Sequence, residues 1–224
     1  MAEATKREAD DESWVRQEVI DTALAMNHER LSLANSGNVS ARWGEGMLIT
    51  PTGMAYDDLL PEDIVFVADD GATAQGARKP SSEWPFHLTA YEARPEAGAV
   101  VHCHSLNATA LACARKPIPP FHYMVAVAGG SDIPLAGYAT FGSDELAVNV
   151  GEALAERKAC LMANHGQIAC GASLDEALDL AMQVEELAAQ YIRTMEAGTP
   201  HVLDAEEMAR VIEKFSKYGQ QGEG

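Results

Sequence analysis

Basic residues are scarce in this chain. Sixteen Lys and Arg face 34 Asp and Glu among 224 residues, giving a net charge of −18. No basic stripe is present, which excludes the usual electrostatic footprint of a nucleic-acid binder. The deficit does not exclude an anionic small molecule. At physiological salt, surface charges beyond about 8 Å are largely screened, so the local pocket decides. Cysteine is sparse too. Cys103, Cys113, Cys160 and Cys170 show no CxxC spacing, and their apolar neighbours read as packing around free thiols rather than disulfides. No apolar run is long enough to cross a membrane. Internal repeats and Pro/Gly/Ser linkers are missing, which leaves one folding unit. A GxxxxGK[ST] loop and a GxGxxG turn after a strand are also missing, which argues against nucleotide chemistry. The opening "MAEATKREADDES" is polar and acidic and reads as a loose tail rather than a secretory leader. With the free thiols it sets the expectation of a cytoplasmic protein that binds neither nucleic acid nor membrane.

What is present is an ordinary core composition, 47% hydrophobic and 22% charged. Residues 12–30 carry a helical stripe of Val15, Val19, Ile20, Ala23 and Leu24. "NVSAR" and "GMLIT" read as strands joined through Gly44 and Gly46, and "DIVFVAD" as a third strand closed by Asp70-Gly71. "SSEWPFHLTAYEARP" predicts a short helix stopped by Pro95. "AGAVVHCH" reads as a strand, "SLNATALACAR" as a helix, and "YMVAVAGG" and "DIPLAGYA" as strands. Ser143 caps a helix over "SDELAVNVGEALAER", and "ACLMANHGQIAC" gives two short strands with His165 at the bend. The clearest helix opens at the Ser173–Glu176 capping box and closes at Gly198. A last helix covers about 204–217. The expectation is one α/β domain over residues 12–218, with its sheet covered by helices, between tails 1–11 and 219–224.

The chemistry centres on "VVHCHS". Side chains alternate faces along a strand, so His102 and His104 point one way and Cys103 the other. Catalytic zinc sites use three protein ligands and one open position. His165, followed by a glycine, and Glu83, at a predicted helix start, are the further donors on offer. From spacing alone, a metal centre and a set of packed histidines both stand. "SGNVS", "TPTG" and "SSE" are small, polar and glycine-containing, and can offer N–H and hydroxyl groups to an anion. They also read as plain turns and caps. Tyr123 is either a proton donor or packing. His87 and His122 read as structural, and His28 and His201 as solvent-facing.

Taken in order, "SGNVSAR", "MLITPTGMAYDDL", "PSSEWPFH", "AVVHCHS", "IPPFHYMVAVAGG", "IPLAGYATFGSDEL", "NHGQIACG" and "EKFSKYG" resemble the class II aldolase/adducin family over residues 12–218. The resemblance implies a zinc lyase on a central, mostly antiparallel β-sheet flanked by helices, assembled as a cyclic homotetramer with sites between subunits. It makes His102, His104 and His165 the ligands of one Zn²⁺ per chain. Glu83 becomes the catalytic acid, which also touches zinc when substrate is absent. Asn38, Thr52, Gly53, Ser81 and Ser82 match phosphate-binding positions. Tyr123 matches a tyrosine that reaches a neighbour's site. Phe215 and Tyr218 match a segment that closes over the site. "LANSGN" and the residues after Tyr218 depart from the pattern. The implied reaction splits a ketose 1-phosphate, with L-fuculose 1-phosphate the expected substrate, into dihydroxyacetone phosphate and L-lactaldehyde through a zinc-stabilised enediolate. The same-fold alternatives are a pentulose-phosphate epimerase, which has Asp where Glu83 stands, and an aldolase for another sugar phosphate, thio-pentulose phosphates included. A non-catalytic adducin-like module need not keep the metal ligands that this chain retains.

Overall fold

The computed structural model describes residues 2–215, with residues 2–10 as backbone only. Its strands are β1 (Asn38–Arg42), β2 (Gly46–Ile49), β3 (Val65–Ala68), β4 (Ala99–Cys103), β5 (Leu135–Ala136), β6 (Ala159–Met162) and β7 (Gly166–Gly171). They form one seven-stranded sheet in the order β3-β2-β1-β4-β7-β6-β5. Every pairing is antiparallel except β5 with β6. The helices are α1 (Ala2–His28), α2 (Trp84–Ala93), α3 (Leu106–Cys113), α4 (Asp144–Leu154), α5 (Leu174–Ala197) and α6 (Ala205–Phe215).

Both faces of the sheet are covered, so its central strands are apolar on both sides. On one face Val39, Val101, Cys103, Leu161 and Ala169 pack with α1, α3 and α5. On the other Met47, Val100, Cys160 and Ile168 pack with α2 and α4. Capping follows the sequence. Ser143 Oγ accepts from Leu146 N at 3.2 Å and Ser173 Oγ from Glu176 N at 3.2 Å. The Glu176 carboxylate returns to Ala172 N at 3.1 Å.

Four expectations change. Helix α1 starts at Ala2, so the acidic stretch read as a loose tail is helical from there. Tyr123–Ala128 is a 3₁₀ helix, not a strand. His122 Nδ1 caps it by accepting from Met124 N at 3.2 Å, and Gly129 ends it at φ 84°. Its alternating Val and Ala are too short a signal to separate a strand from a tight helical turn. "DIPLAGYA" yields only the two-residue β5, because Pro134 and Gly137 flank it. Cys113 is exposed at the end of α3, while the other three thiols are buried. The segment 219–224 lies outside the described residues.

Candidate metal centre

Strand β4 delivers the first ligand. His102 is fully buried on the α2 side of the sheet, the side of Val100, and its ring meets Phe86 edge-on at 5.1 Å. Cys103 faces the opposite core, as alternation requires. His104 sits one residue beyond the strand end. His165 occupies the turn between β6 and β7. Gly166 follows it because a Cβ there would lie 2.4 Å from the Cys103 carbonyl oxygen and 2.8 Å from the His104 ring. The glycine therefore lets β7 start directly against the end of β4. Glu83 stands at the N-cap of α2, yet its side chain makes no cap hydrogen bond. Its carboxylate is turned to the imidazoles instead.

Four donor groups converge within 4.8 Å of one another: Glu83, His102, His104 and His165. Glu83 Oε2 lies 3.2 Å from His102 Nε2, and Glu83 Oε1 lies 3.0 Å from His165 Nε2. His102 Nε2 lies 3.1 Å from His104 Nε2. The tautomer of His102 follows from its other nitrogen, which donates to the Gln167 carbonyl at 2.8 Å. A carbonyl only accepts, so Nδ1 carries the proton and the Nε2 lone pair faces the cluster. His102 Nε2 and Glu83 Oε2 are thus two acceptors 3.2 Å apart, a contact that a shared proton or a metal ion would reconcile. Burial, with His102 and His165 beside it, pushes the His104 imidazole down to about 3, so it stays neutral as a ligand must. Burial alone would push the Glu83 carboxyl up. His102 and His165 outweigh it and hold the group well below the usual carboxylate range. Three imidazoles and a carboxylate form a donor set that suits a first-row divalent ion.

The three segments read as an anion site run side by side. Thr50 N donates to Val39 O at 3.1 Å, Thr52 N to Lys79 O at 3.0 Å and Ser81 N to Thr50 O at 3.0 Å. Thr52 and Gly53 are exposed, and Gly53 takes φ +74°. Ser81 is buried, with its Oγ accepting from Glu83 N at 3.3 Å, and Ser82 is exposed. A cavity of about 380 Å³ opens at this point, lined by Ser36, Ser82, Glu83, His104, His165 and Asn164 together with Tyr138, Ala139 and Phe141. Among the described residues no Lys or Arg lines it.

Asn38 is placed differently from its neighbours. It is buried, and its Nδ2 donates to Glu83 Oε2 at 2.9 Å. Its Oδ1 lies 2.5 Å from His87 Nε2. His87 Nδ1 lies 2.8 Å from Ser40 Oγ, which lies 2.9 Å from the Tyr91 hydroxyl. Burial pushes the His87 imidazole down to about 3, with His102 adding to it. His87, read as structural from its sequence context, is buried and hydrogen-bonded at both ring nitrogens. The signal was there in a spacing: Glu83, His87 and Tyr91 recur every fourth residue.

Tyr123 is 51% exposed and does not line the cavity beside Glu83. Its ring stacks on His122 at 4.8 Å and tilts against Phe215 at 6.4 Å. These residues border a separate groove of about 740 Å³ with Phe121, Leu203 and Val211. Tyr218 lies outside the described residues. Among residues the sequence did not single out, Tyr138 and Phe141 are large exposed aromatics at the cavity rim, in the loop between Gly137 and Gly142.

Comparison with known proteins follows this geometry. Residues 17–192 match the Class II Aldolase and Adducin N-terminal domain family. The chain is 50% identical over 205 residues to a 5-methylthioribulose-1-phosphate/5-deoxyribulose-1-phosphate aldolase of Rhodospirillum rubrum, covering 92% of each chain. It is also 50% identical over 204 residues to an L-fuculose phosphate aldolase of Escherichia coli O6:H1, covering 91% of this chain and 94% of that one. A solved L-fuculose 1-phosphate aldolase superposes with a TM-score of 0.86 at 40% identity, covering 90% and 96%.

Proposed function

Because this chain belongs to the class II aldolase and adducin family, we propose that it is a zinc-dependent aldolase cleaving a ketose 1-phosphate to dihydroxyacetone phosphate and an aldehyde. The observation that carries this reading is the convergence of three imidazoles and Glu83 at the floor of a small neutral cavity. His102, His104 and His165 would hold the ion. When bound, it supplies Lewis acidity to the ketone and the neighbouring hydroxyl.

The chain's own groups do the rest. Cleavage removes the proton of the C4 hydroxyl and breaks the C3–C4 bond. The bonding pair moves toward the C2 ketone, giving an enediolate and leaving C4 as an aldehyde. Glu83, the acid nearest the site and a carboxylate at rest, takes up a proton from solvent and passes it to C3 to complete dihydroxyacetone phosphate, while the C4 hydroxyl proton leaves to solvent by its own route. Asn38, Thr52, Gly53, Ser81 and Ser82 orient the phosphate with hydroxyl and amide groups, supplying position rather than charge. Tyr123 manages the proton of the C4 oxygen from a neighbouring subunit of a homotetramer. Its exposure and its distance from the cavity within one chain support that arrangement. Phe215, beside Tyr123, and Tyr218 belong to the closing segment. A phosphorylated substrate and buried free thiols suit a cytoplasmic enzyme whose catalytic unit spans 12–218.

The substrate favoured by the sequence motifs is L-fuculose 1-phosphate, with L-lactaldehyde as the second product. A second reading is 5-methylthioribulose 1-phosphate or 5-deoxyribulose 1-phosphate, supported by the 50% identity to the R. rubrum aldolase. All three sugars end in an apolar group, which suits the aromatic rim of Tyr138 and Phe141. The deciding experiment compares kcat/KM for the three ketose 1-phosphates on zinc-loaded protein, with a pentulose 5-phosphate as epimerase control. Cleavage of none of the three, or epimerisation of the control alone, would overturn the aldolase reading.

A further inference from the structure

We propose that His87 is a positioning residue: it fixes the amide of Asn38, and through it the carboxylate of Glu83. This rests on the reading of Glu83 as the proton carrier. Two stripes of polar side chains meet between sheet and helix. Strand β1 presents Asn38 and Ser40, two residues apart, on one face. Helix α2 and its N-cap present Glu83, His87 and Tyr91, four apart. Asn38 is also the direct cross-strand partner of His102, so its side chain stands on the metal-site face. Where the stripes meet, the polar groups interleave into one chain, Glu83–Asn38–His87–Ser40–Tyr91, inside the apolar layer between sheet and helix.

The chain has only one polarity that satisfies every member. The Glu83 carboxylate accepts, so the amide must turn Nδ2 toward it. That leaves Oδ1 facing His87, so His87 Nε2 carries the proton and donates. His87 Nδ1 is then a bare acceptor and takes the Ser40 hydroxyl proton. Ser40 Oγ in turn accepts from the Tyr91 hydroxyl. Reverse the His87 tautomer and the amide flips, setting a carbonyl oxygen against the carboxylate. The dry surroundings make that misfit costly, because a buried unmatched polar group costs more than a neutral hydrogen bond gains. His87 itself is fully buried and does not line the cavity beside Glu83, so it acts through Asn38 and not on substrate.

Two measurements test this. The first is ¹⁵N-imidazole NMR on chelated protein. Protonated Nε2 and bare Nδ1 on His87 are expected; the opposite tautomer overturns the assignment. The second reads solvent deuterium exchange into dihydroxyacetone phosphate by zinc-loaded protein. His87→Leu should slow exchange about 10–10²-fold, the usual scale for outer-shell partners, with zinc content unchanged. His87→Gln keeps a donor near the Nε2 position and should recover most of the rate. In an Asn38→Ala background, His87→Leu should cost nothing further, since the two act in series. An equal loss in both backgrounds would mean that His87 merely supports the fold. If His87→Leu does not fold, Ser40→Ala carries the same cycle with a loss of a few-fold. Glu83→Gln exchanging at the wild-type rate would remove the proton-carrier reading and the second half of this proposal, leaving the tautomer result to stand on its own.

Discussion

Glu83 and Tyr123, the two residues assigned to proton transfer, live in opposite surroundings. Glu83 is 6% exposed and touched by His102, His165 and Asn38, so β1, β4, α2 and the β6–β7 turn all constrain it. Tyr123 is 51% exposed, on a short 3₁₀ turn, with the His122 and Phe215 rings beside it. One chain is enough to build the first environment. The second, if Tyr123 serves a neighbouring subunit as proposed, would be half a site whose chemistry depends on what it meets. The half-reaction at Glu83 should therefore tolerate changes at subunit contacts, while cleavage should not.

Four experiments would break or sharpen that contrast. The largest effect belongs to the ligands. His104→Ala should lose the metal and reduce cleavage to background, and chelation of the wild type should do the same until zinc is restored; metal analysis alongside the rate checks both. A His104→Ala protein that kept ion and activity would remove His104 from the ligand set. Next is Glu83→Gln, expected to slow solvent exchange into dihydroxyacetone phosphate by about 10²–10⁴-fold with zinc still bound to three imidazoles.

Tyr123→Phe should give the reverse split: cleavage slowed by about 10–10²-fold, exchange nearly intact. Mixed tetramers of Glu83→Gln and Tyr123→Phe should then regain part of the cleavage rate, because some sites combine the intact residue from each chain. No recovery in verified mixed tetramers would put both groups in one subunit. The smallest effect concerns stability. In chelated protein His87 and His104 titrate at about 3, against 6.5 for an ordinary imidazole. The unfolded chain therefore binds more protons between those values, and stability falls as pH drops from 6.5 toward 3. Urea midpoints at pH 7, 5.5 and 4.5 should decrease in that order. His87→Gln should flatten part of the slope.

Much of the Glu83 side was legible in the sequence because its determinants are local. Strand alternation put His102 and His104 on one side and Cys103 on the other. The glycine after His165 marked the tight start of β7. Capping serines marked α4 and α5. The Tyr123 side was less legible. Its Val/Ala alternation gave no decisive period, and a 3₁₀ turn formed where a strand was expected. The contacts of Asn38 within one chain were hidden for another reason. Position within "SGNVS" points to an anion rim and says nothing of the partner from α2, some 45 residues away. Only the pairing of β1 with β4 under α2 brings them together. The charge of −18 found no local expression at the site, whose cavity is lined by neutral groups and the ligand cluster.

The contact between His102 and the Gln167 carbonyl joins residues 65 apart in sequence. His102 and His104 are neighbours from the moment the chain is made, whereas His165 reaches them only once β7 has paired with β4. That closure is of the kind that slows folding, since a long loop must be ordered before its contacts repay the entropy. An unfolded chain can offer an ion the local pair, and the native sheet offers the full set. Zinc would thus favour the folded state by the difference in affinity, acting as a latch on the most remote pairing in the sheet. Zinc depletion should then show first as a loosening of the β4–β7 seam in hydrogen exchange, before the helices that cover it respond.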